Sequence, residues 1–443
     1  MKKFVKIVKK RIPWISHIIN ETTSHEFYMK RIKLSKKTIC ILCRMSRGLC
    51  GQSPCPLYHL FDKVSKVRSL VINKKHIIGS SPPGLFVGHS KYPYVNVGPL
   101  VAPIVGNVET WDTPEQWINI TFNQLINYRL SLIRGFKKTH VKDLKSKITE
   151  KIQELALSKN SVCIDAKFTK PPQGKLIDGE LRPLGPKAEI KDIQLDGIKT
   201  HQLLEKYFND DEIRAEDALF ELRKRGVLVS NLIRAFSAGL LGIKSQRKLV
   251  PTRWSITAVD SLLSLKYIQK LRAFDKISEI RVYEGNLLNN KFVVIMLPGI
   301  WSFEWLEAWW PRTAFNFFGT EIAICGDYEL HFGRDFYAKV GGCYYASRLA
   351  VSEFLFKIKK QATVIVLREI YPTPENMIPL GVWLVREGVR LALEAKPFVF
   401  DDLKQVFAFL NDKLRLKVEN WISSSSLLSM ITRQRHITEF LNS

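Results

Sequence analysis

The chain has 443 residues, 46% hydrophobic and 25% charged, the balance of an ordinary globular protein with room for two or three domains. No run approaches the about 18 consecutive apolar residues of a membrane span, and Lys9, Lys10 and Arg11 interrupt the N-terminus where a signal peptide would be apolar. A spanning or secreted protein is therefore not expected, and a cytoplasmic, nucleoid-associated one is.

Charge is distributed unevenly. Lys and Arg number 68 against 42 Asp and Glu, a net of +26. Residues 1–75 hold 18 basic residues and only Glu21, Glu26 and Asp62 as acids, a net of +15. A basic segment of this size is an electrostatic footprint for polyphosphate, which points to nucleic acid. Residues 1–35 read as a basic arm in which Val5, Ile7, Val8, Ile12 and Trp14 interleave with lysines. Residues 36–60 carry Cys40, Cys43, Cys50 and Cys55 in the spacing C-x2-C-x6-C-x4-C. That spacing suits one tetrahedral zinc ion held by four thiolates, with Gly48 and Gly51 where the backbone must bend toward the metal. Two disulfides or an iron–sulfur cluster are the alternatives; disulfide frameworks belong to small secreted domains, and this chain is long. Cys163, Cys325 and Cys343 are scattered in apolar surroundings, as buried free thiols would be.

Residues 61–245 read as a mainly helical region with a strand-containing start. Gly79–Gly84 is a turn-rich break, and Leu85–Gly88 and Tyr94–Gly98 look like short strands. Thr113-Pro114-Glu115-Gln116 has the form of a capping box, predicting a helix that Gly135 closes. Helical character continues over 136–158. The Pro- and Gly-rich stretch 167–197 predicts a loop. Further helices are predicted at 209–225, with Asn209 as cap and Gly226 as terminator, and at 230–239.

Residues 246–430 read as an α/β core region. A helix runs through Ala258, Leu262, Leu265, Ile268 and Leu271, with Thr257 as its cap candidate. Glu279–Tyr283 and Phe292–Leu297 read as a hairpin, Glu321–Cys325 as a short apolar run, and Tyr344–Lys359 as a helix. Thr363–Leu367 and Val382–Val385 are strand candidates, and Ser423–Ser426 reads as a hinge. Arg247, Lys248, Thr252, Arg253, Trp254 and Ser255 crowd cations and hydroxyls before a helix, the makings of a phosphate site. Arg334 and the pair Gly341-Gly342 add a second phosphate-binding candidate. Asp260, Asp327, Glu329, Asp335 and Glu369 are candidate catalytic carboxylates. These residues leave open a nucleotide- or dinucleotide-binding enzyme, with catalysis itself undecided; charge alone leaves open an RNA-binding zinc protein.

Residues 431–443 end in Gln434-Arg435-His436-Ile437-Thr438-Glu439-Phe440-Leu441. In a helical turn Ile437, Phe440 and Leu441 form one apolar plug with Gln434 free to bond a partner backbone, which resembles the peptide that docks sliding clamps. Leu441 stands where a second aromatic is usual.

The four cysteines, Ser81–Gly88, Val97–Leu100, Asp112–Glu115, Arg134-Gly135, Arg247–Asp260, Gly341–Ala350, Arg368–Ile370 and the terminal motif together resemble the archaeal Nre family of DNA repair proteins, in its NreA-like form. The resemblance covers nearly the whole chain. It implies a DNA-damage-response role with recruitment by the sliding clamp PCNA through Gln434, Ile437, Phe440 and Leu441, while the charge and the cysteine module point to DNA contact at the basic zinc end. The fold expected is α+β, a mixed helix/strand core with an N-terminal four-cysteine zinc module.

Overall fold

The computed structural model describes residues 74–173 and 185–433. The basic arm, Cys40, Cys43, Cys50 and Cys55, and Gln434, Ile437, Phe440 and Leu441 lie outside the described residues. The described chain divides into two compact units, one of residues 74–266 with 378–383, the other of 267–377 with 384–433. Both combine helices with a six-stranded sheet, so the mixed helix–strand fold is present.

The first unit is built on strands β1 (His76–Ser81), β2 (Leu85–Val87), β3 (Tyr94–Val101), β4 (Ile133–His140), β5 (Val162–Phe168) and β6 (Lys187–Asp196). Their order is β1-β5-β6-β4-β3-β2, antiparallel except for the parallel pair β4–β6. Period-2 alternation sets the two faces. Val95, Val97, Ile133, Ile164, Ala166 and Ile190 are buried on one face, where helix α2 (Lys147–Leu157) packs after α1 (Phe122–Ser131). The opposite face carries Tyr94, Asn96, Lys138, Asp165 and Lys167, exposed or half-buried. Helices α3 (Gln202–Phe208), α4 (Ala215–Lys224), α5 (Val229–Ser237) and α6 (Thr252–Leu271) follow.

This unit departs from the mainly helical reading of 61–245. Thr113–Gln116 makes only a 3-10 turn, because Trp117 is fully buried there and donates from its indole nitrogen to the Thr110 carbonyl oxygen at 2.5 Å. The capping box that starts α1 is Thr121 with Gln124. Gly135 lies inside a strand, not at a helix end. A Cβ on Gly98 would come within 2.1 Å of the Gly135 carbonyl oxygen, so the two strands approach where neither residue has a side chain. The predicted loop at 167–197 contains β6. Asn209 ends α3 instead of capping the next helix, whereas Gly226 does follow α4, at φ +85°.

The second unit orders its strands β10-β9-β11-β8-β7-β12: β7 (Ile280–Leu287), β8 (Asn290–Leu297), β9 (Ser302–Trp309), β10 (Ala323–Glu329), β11 (Thr363–Ile370) and β12 (Phe398–Phe400). The β7–β8 hairpin is tighter than its sequence suggested. Leu288 and Asn289, both at positive φ (47° and 55°), form a two-residue turn of the sort that matches strand twist. One face packs Val293, Ile295, Leu306, Ile365 and Leu367 against α9 (Leu403–Lys413), α10 (Val418–Ser424) and α11 (Ser426–Arg433). The other is covered by α7 (Gly342–Lys357), whose Tyr344 meets Phe303 edge-on at 5.1 Å, and by α8 (Trp383–Glu394), whose Gly388 lies against the Phe292 ring. Burial on both faces explains the unbroken apolar runs of β8 and β11.

Three expectations for this region are corrected. Val382–Val385 is helical: Leu384, Val385, Val389, Ala392 and Leu393 are buried at helical spacing. The short apolar run read at Glu321–Cys325 is instead a strand, β10, that extends through the candidate carboxylates Asp327 and Glu329. The serine run is no loose hinge. Ser425 is buried, and the Glu304 carboxylate accepts from the Ser425 hydroxyl and from the backbone N–H groups of Ser426 (2.7 Å) and Leu427 (3.1 Å), capping α11.

The zinc expectation is also corrected. Among the described residues no group of three or more His, Cys, Asp or Glu side chains could hold a metal ion. Cys163 is exposed, Cys325 half-buried and only Cys343 buried, all three as free thiols. No helix among the described residues is long and apolar enough to cross a membrane.

Glu304 predicts a stability effect. Glu304→Ala strands buried donors at about 1–3 kcal/mol each and should lower unfolding free energy by about 3 kcal/mol. Glu304→Gln, which keeps a carbonyl acceptor, should cost less. Urea denaturation of both variants checks this; an alanine variant as stable as the parent contradicts it.

Candidate nucleic-acid interface

Three segments of the first unit converge on the end of β4. Val141 donates its N–H to the Pro93 carbonyl oxygen at 3.0 Å and accepts from the Leu249 N–H at 2.8 Å. The turn Gly88–Tyr94, with a cis Tyr92–Pro93 bond, the strand end Lys138–Lys142 and the segment Lys248–Trp254 are thereby tied together.

Aromatic rings floor this junction. Tyr92 and Trp254 lie 5.0 Å apart, tilted by 49°. Tyr94 and His140, paired across β3 and β4, meet edge-on at 5.2 Å, and the Lys138 ammonium sits 5.6 Å from the Tyr94 ring centre. Tyr94 keeps 53% of its surface exposed. Lys91, Lys138 and Lys142 are exposed, and Lys248, Arg253 and Trp254 half-buried. Burial, and secondarily the positive charge of Lys142, pull the Lys248 ammonium below the ordinary lysine range. Burial also raises the Tyr92 phenol. Like charges crowded together are costly alone, and an anion whose bases can stack on the neighbouring rings relieves that cost.

The chain matches known proteins over most of its length. The archaeal Nre N-terminal domain matches residues 49–316 and the archaeal Nre C-terminal domain residues 329–440. The chain is 39% identical over 404 residues to the DNA repair protein NreB of Archaeoglobus fulgidus, covering 91% of this chain and all of that one. The chain belongs to the archaeal Nre family. The DNA repair protein NreA of the same organism is 33% identical over 91% of this chain and 99% of its own length. NreA of Haloferax volcanii is 32% identical over 72% of this chain and 79% of its own. Similarity thus extends to both NreA and NreB, and the narrower NreA-like reading gives way to the Nre family as a whole. No solved structure matches the chain.

Within this Nre protein, several predicted site residues have structural work. The Arg247 guanidinium donates to the carbonyl oxygens of Gly242 (2.7 Å), Phe208 (2.7 Å) and Asp210 (2.6 Å), clamping three loop ends. Helix α6 starts at Thr252, five residues before the predicted cap. Thr252 accepts from the Val87 N–H at 2.9 Å, and Ser255 donates to the Val250 carbonyl oxygen at 3.3 Å. Asp260 is fully buried within α6. Of the nucleotide candidates here, Trp254 meets the Tyr92 ring, Lys248 lies within reach of the Lys142 charge, and Arg253 is half-buried next to Trp254 in sequence.

In the second unit, Asp327 accepts from the Arg334 guanidinium (2.8 Å) and the Lys339 N–H (2.7 Å). Glu329 accepts from Arg348 (2.7 Å) and the Trp301 indole N–H (3.1 Å). Glu369 takes the Tyr371 hydroxyl and the N–H groups of Arg415 (3.0 Å) and Leu416 (2.8 Å). The Gly341 N–H is bonded to the Ala338 carbonyl oxygen at 2.9 Å, and Gly342 begins α7. These carboxylates are saturated structural acceptors, and only Asp335 is exposed. The nucleotide cofactor expectation is not carried forward, because Arg247, Thr252, Ser255 and Arg334 already bond within the protein.

The sequence reading missed Lys138, His140 and Lys142 because it took 136–158 as helical. On a strand, period 2 puts Lys138 and His140 on one face, but Phe136-Lys137-Lys138-Thr139-His140 has no apolar alternation to announce a strand.

Proposed function

We propose that this Nre protein acts in DNA repair and grips DNA through the patch of Lys91, Lys138, Lys142, Lys248, Arg253, Tyr92, Tyr94 and Trp254. The observation that carries the reading is the tied junction of three segments, which bear five cations and three aromatic rings, with Lys138 over the Tyr94 ring. Such a surface pays its binding energy through phosphate neutralisation, with base faces available to the rings. The names of the similar proteins, each a DNA repair protein, support the same direction. The basic stretch 1–75 supplies further phosphate contacts. Recruitment is by the sliding clamp PCNA through Gln434, Ile437, Phe440 and Leu441. Support for this comes from the fit of the terminal sequence to a short apolar plug. In sequence the peptide follows directly on α11, whose start Glu304 fixes.

Substituting Lys138, Lys142 and Lys248 together by alanine tests the grip. Affinity for duplex DNA should fall, and the slope of log affinity against log salt should drop by about 2–3, at about 0.9 per lost phosphate contact. An unchanged slope removes the patch from the interface. For recruitment, immobilised PCNA should retain the intact chain and lose Phe440→Ala; equal retention of both would sink that assignment.

A further inference from the structure

Beyond β10 the second unit presents a different surface. Leu330 and Gly333 close a tight turn, the Gly333 N–H donating to the Leu330 carbonyl oxygen at 2.8 Å with Gly333 at φ +88°. Its tip is His331-Phe332. Phe332 is 94% exposed and Phe336, just beyond the turn, 78%. Leu330 is exposed as well. Isolated apolar residues at a surface are ordinary, but three within seven residues on one loop are a patch.

The loop is held firmly from within. Arg334 donates to the Asp327 carboxylate (2.8 Å) and to the carbonyl oxygens of Phe336 (2.8 Å) and Tyr328 (3.3 Å), and its guanidinium lies 4.7 Å over the Tyr344 ring. Arg272 donates to the His331 carbonyl oxygen. Both rings are therefore projected outward by a fixed base. Arg272, bonded to this loop, and Lys339, just beyond it, are exposed, with Asp335 as the exposed acid of the loop.

We propose that the Leu330–Phe336 loop is a base-stacking wedge, with Phe332 as its leading ring, that engages unpaired or weakly stacked DNA bases. This deepens, and rests on, the reading of the protein as a DNA-binding repair factor. An aromatic face stacks on any base, so such a contact senses whether a base is available and not which base it is. Apolar side chains enter base steps most cheaply where stacking is already weak. The flanking cations give the surface a polyanion as its complement, and the pre-ordered loop loses little freedom on binding.

The test uses the full chain and two probes, a matched duplex and the same duplex with a single-base bulge. The parent should prefer the bulged probe. Phe332→Ala should weaken bulge binding about tenfold, the order expected for one base stack, and change matched-duplex binding less than twofold. Phe332→Trp, which keeps an aromatic face, should retain the preference. Phe332 is on the surface, so the substitution leaves the core intact. No bulge preference in the parent, or an equal loss on both probes in Phe332→Ala, overturns the wedge. Failure of the lysine patch would show instead on the matched duplex with the triple lysine variant, so the two readings fail separately.

Discussion

The peptide unit of Val141 binds two other segments at once, through its N–H to Pro93 and its carbonyl oxygen to Leu249. Without that pairing, Tyr92, Lys142 and Trp254 would belong to three unrelated surface stretches. With it, the backbone bears the cost of bringing like charges together, and the side chains remain available. The depressed ammonium of Lys248, from burial first and Lys142 second, is the electrostatic consequence. An anion at the patch relieves that strain, which is why binding there should be salt-sensitive.

The second unit shows the opposite use of charge. Its buried carboxylates all have their donors supplied: Glu304 caps α11, Glu369 holds the turn at Arg415–Leu416, and Glu329 pairs with the buried Arg348. A buried ion pair with completed hydrogen bonds contributes little net stability, yet losing one partner is expensive. Such groups fix where helices and strands meet, and they are poorly placed to exchange protons with a substrate. Asp327 belongs to the same class, since its bond to Arg334 sets the base of the exposed aromatic loop.

Legibility in the sequence followed how local each signal was. The β7–β8 hairpin, β11 and the helix begun at Gly342 were readable because long apolar runs and turn residues announce themselves over a few positions. The first sheet was mostly hidden. Its strands β4 and β6 carry too many lysines to look apolar, being buried on one face only, and Gly135 read as a helix stop although its role is a close strand contact with Gly98. Arg247 showed the limit for site residues. A cation among hydroxyls resembles a phosphate ligand, and only the folded chain reveals three carbonyl oxygens already occupying it. Trp254 and Lys248 were found by composition, whereas Lys138 and Lys142 needed the strand pairing that brings residue 94 opposite residue 140.

Ultraviolet crosslinking of the full chain to DNA, followed by mapping of the crosslinked peptides, tests the central claim most directly. Crosslinks are predicted in segments 91–94, 138–142 and 248–254, weakening together as salt rises. Crosslinks confined to other surfaces of the first unit, with these three segments unmodified at low salt, would contradict the account.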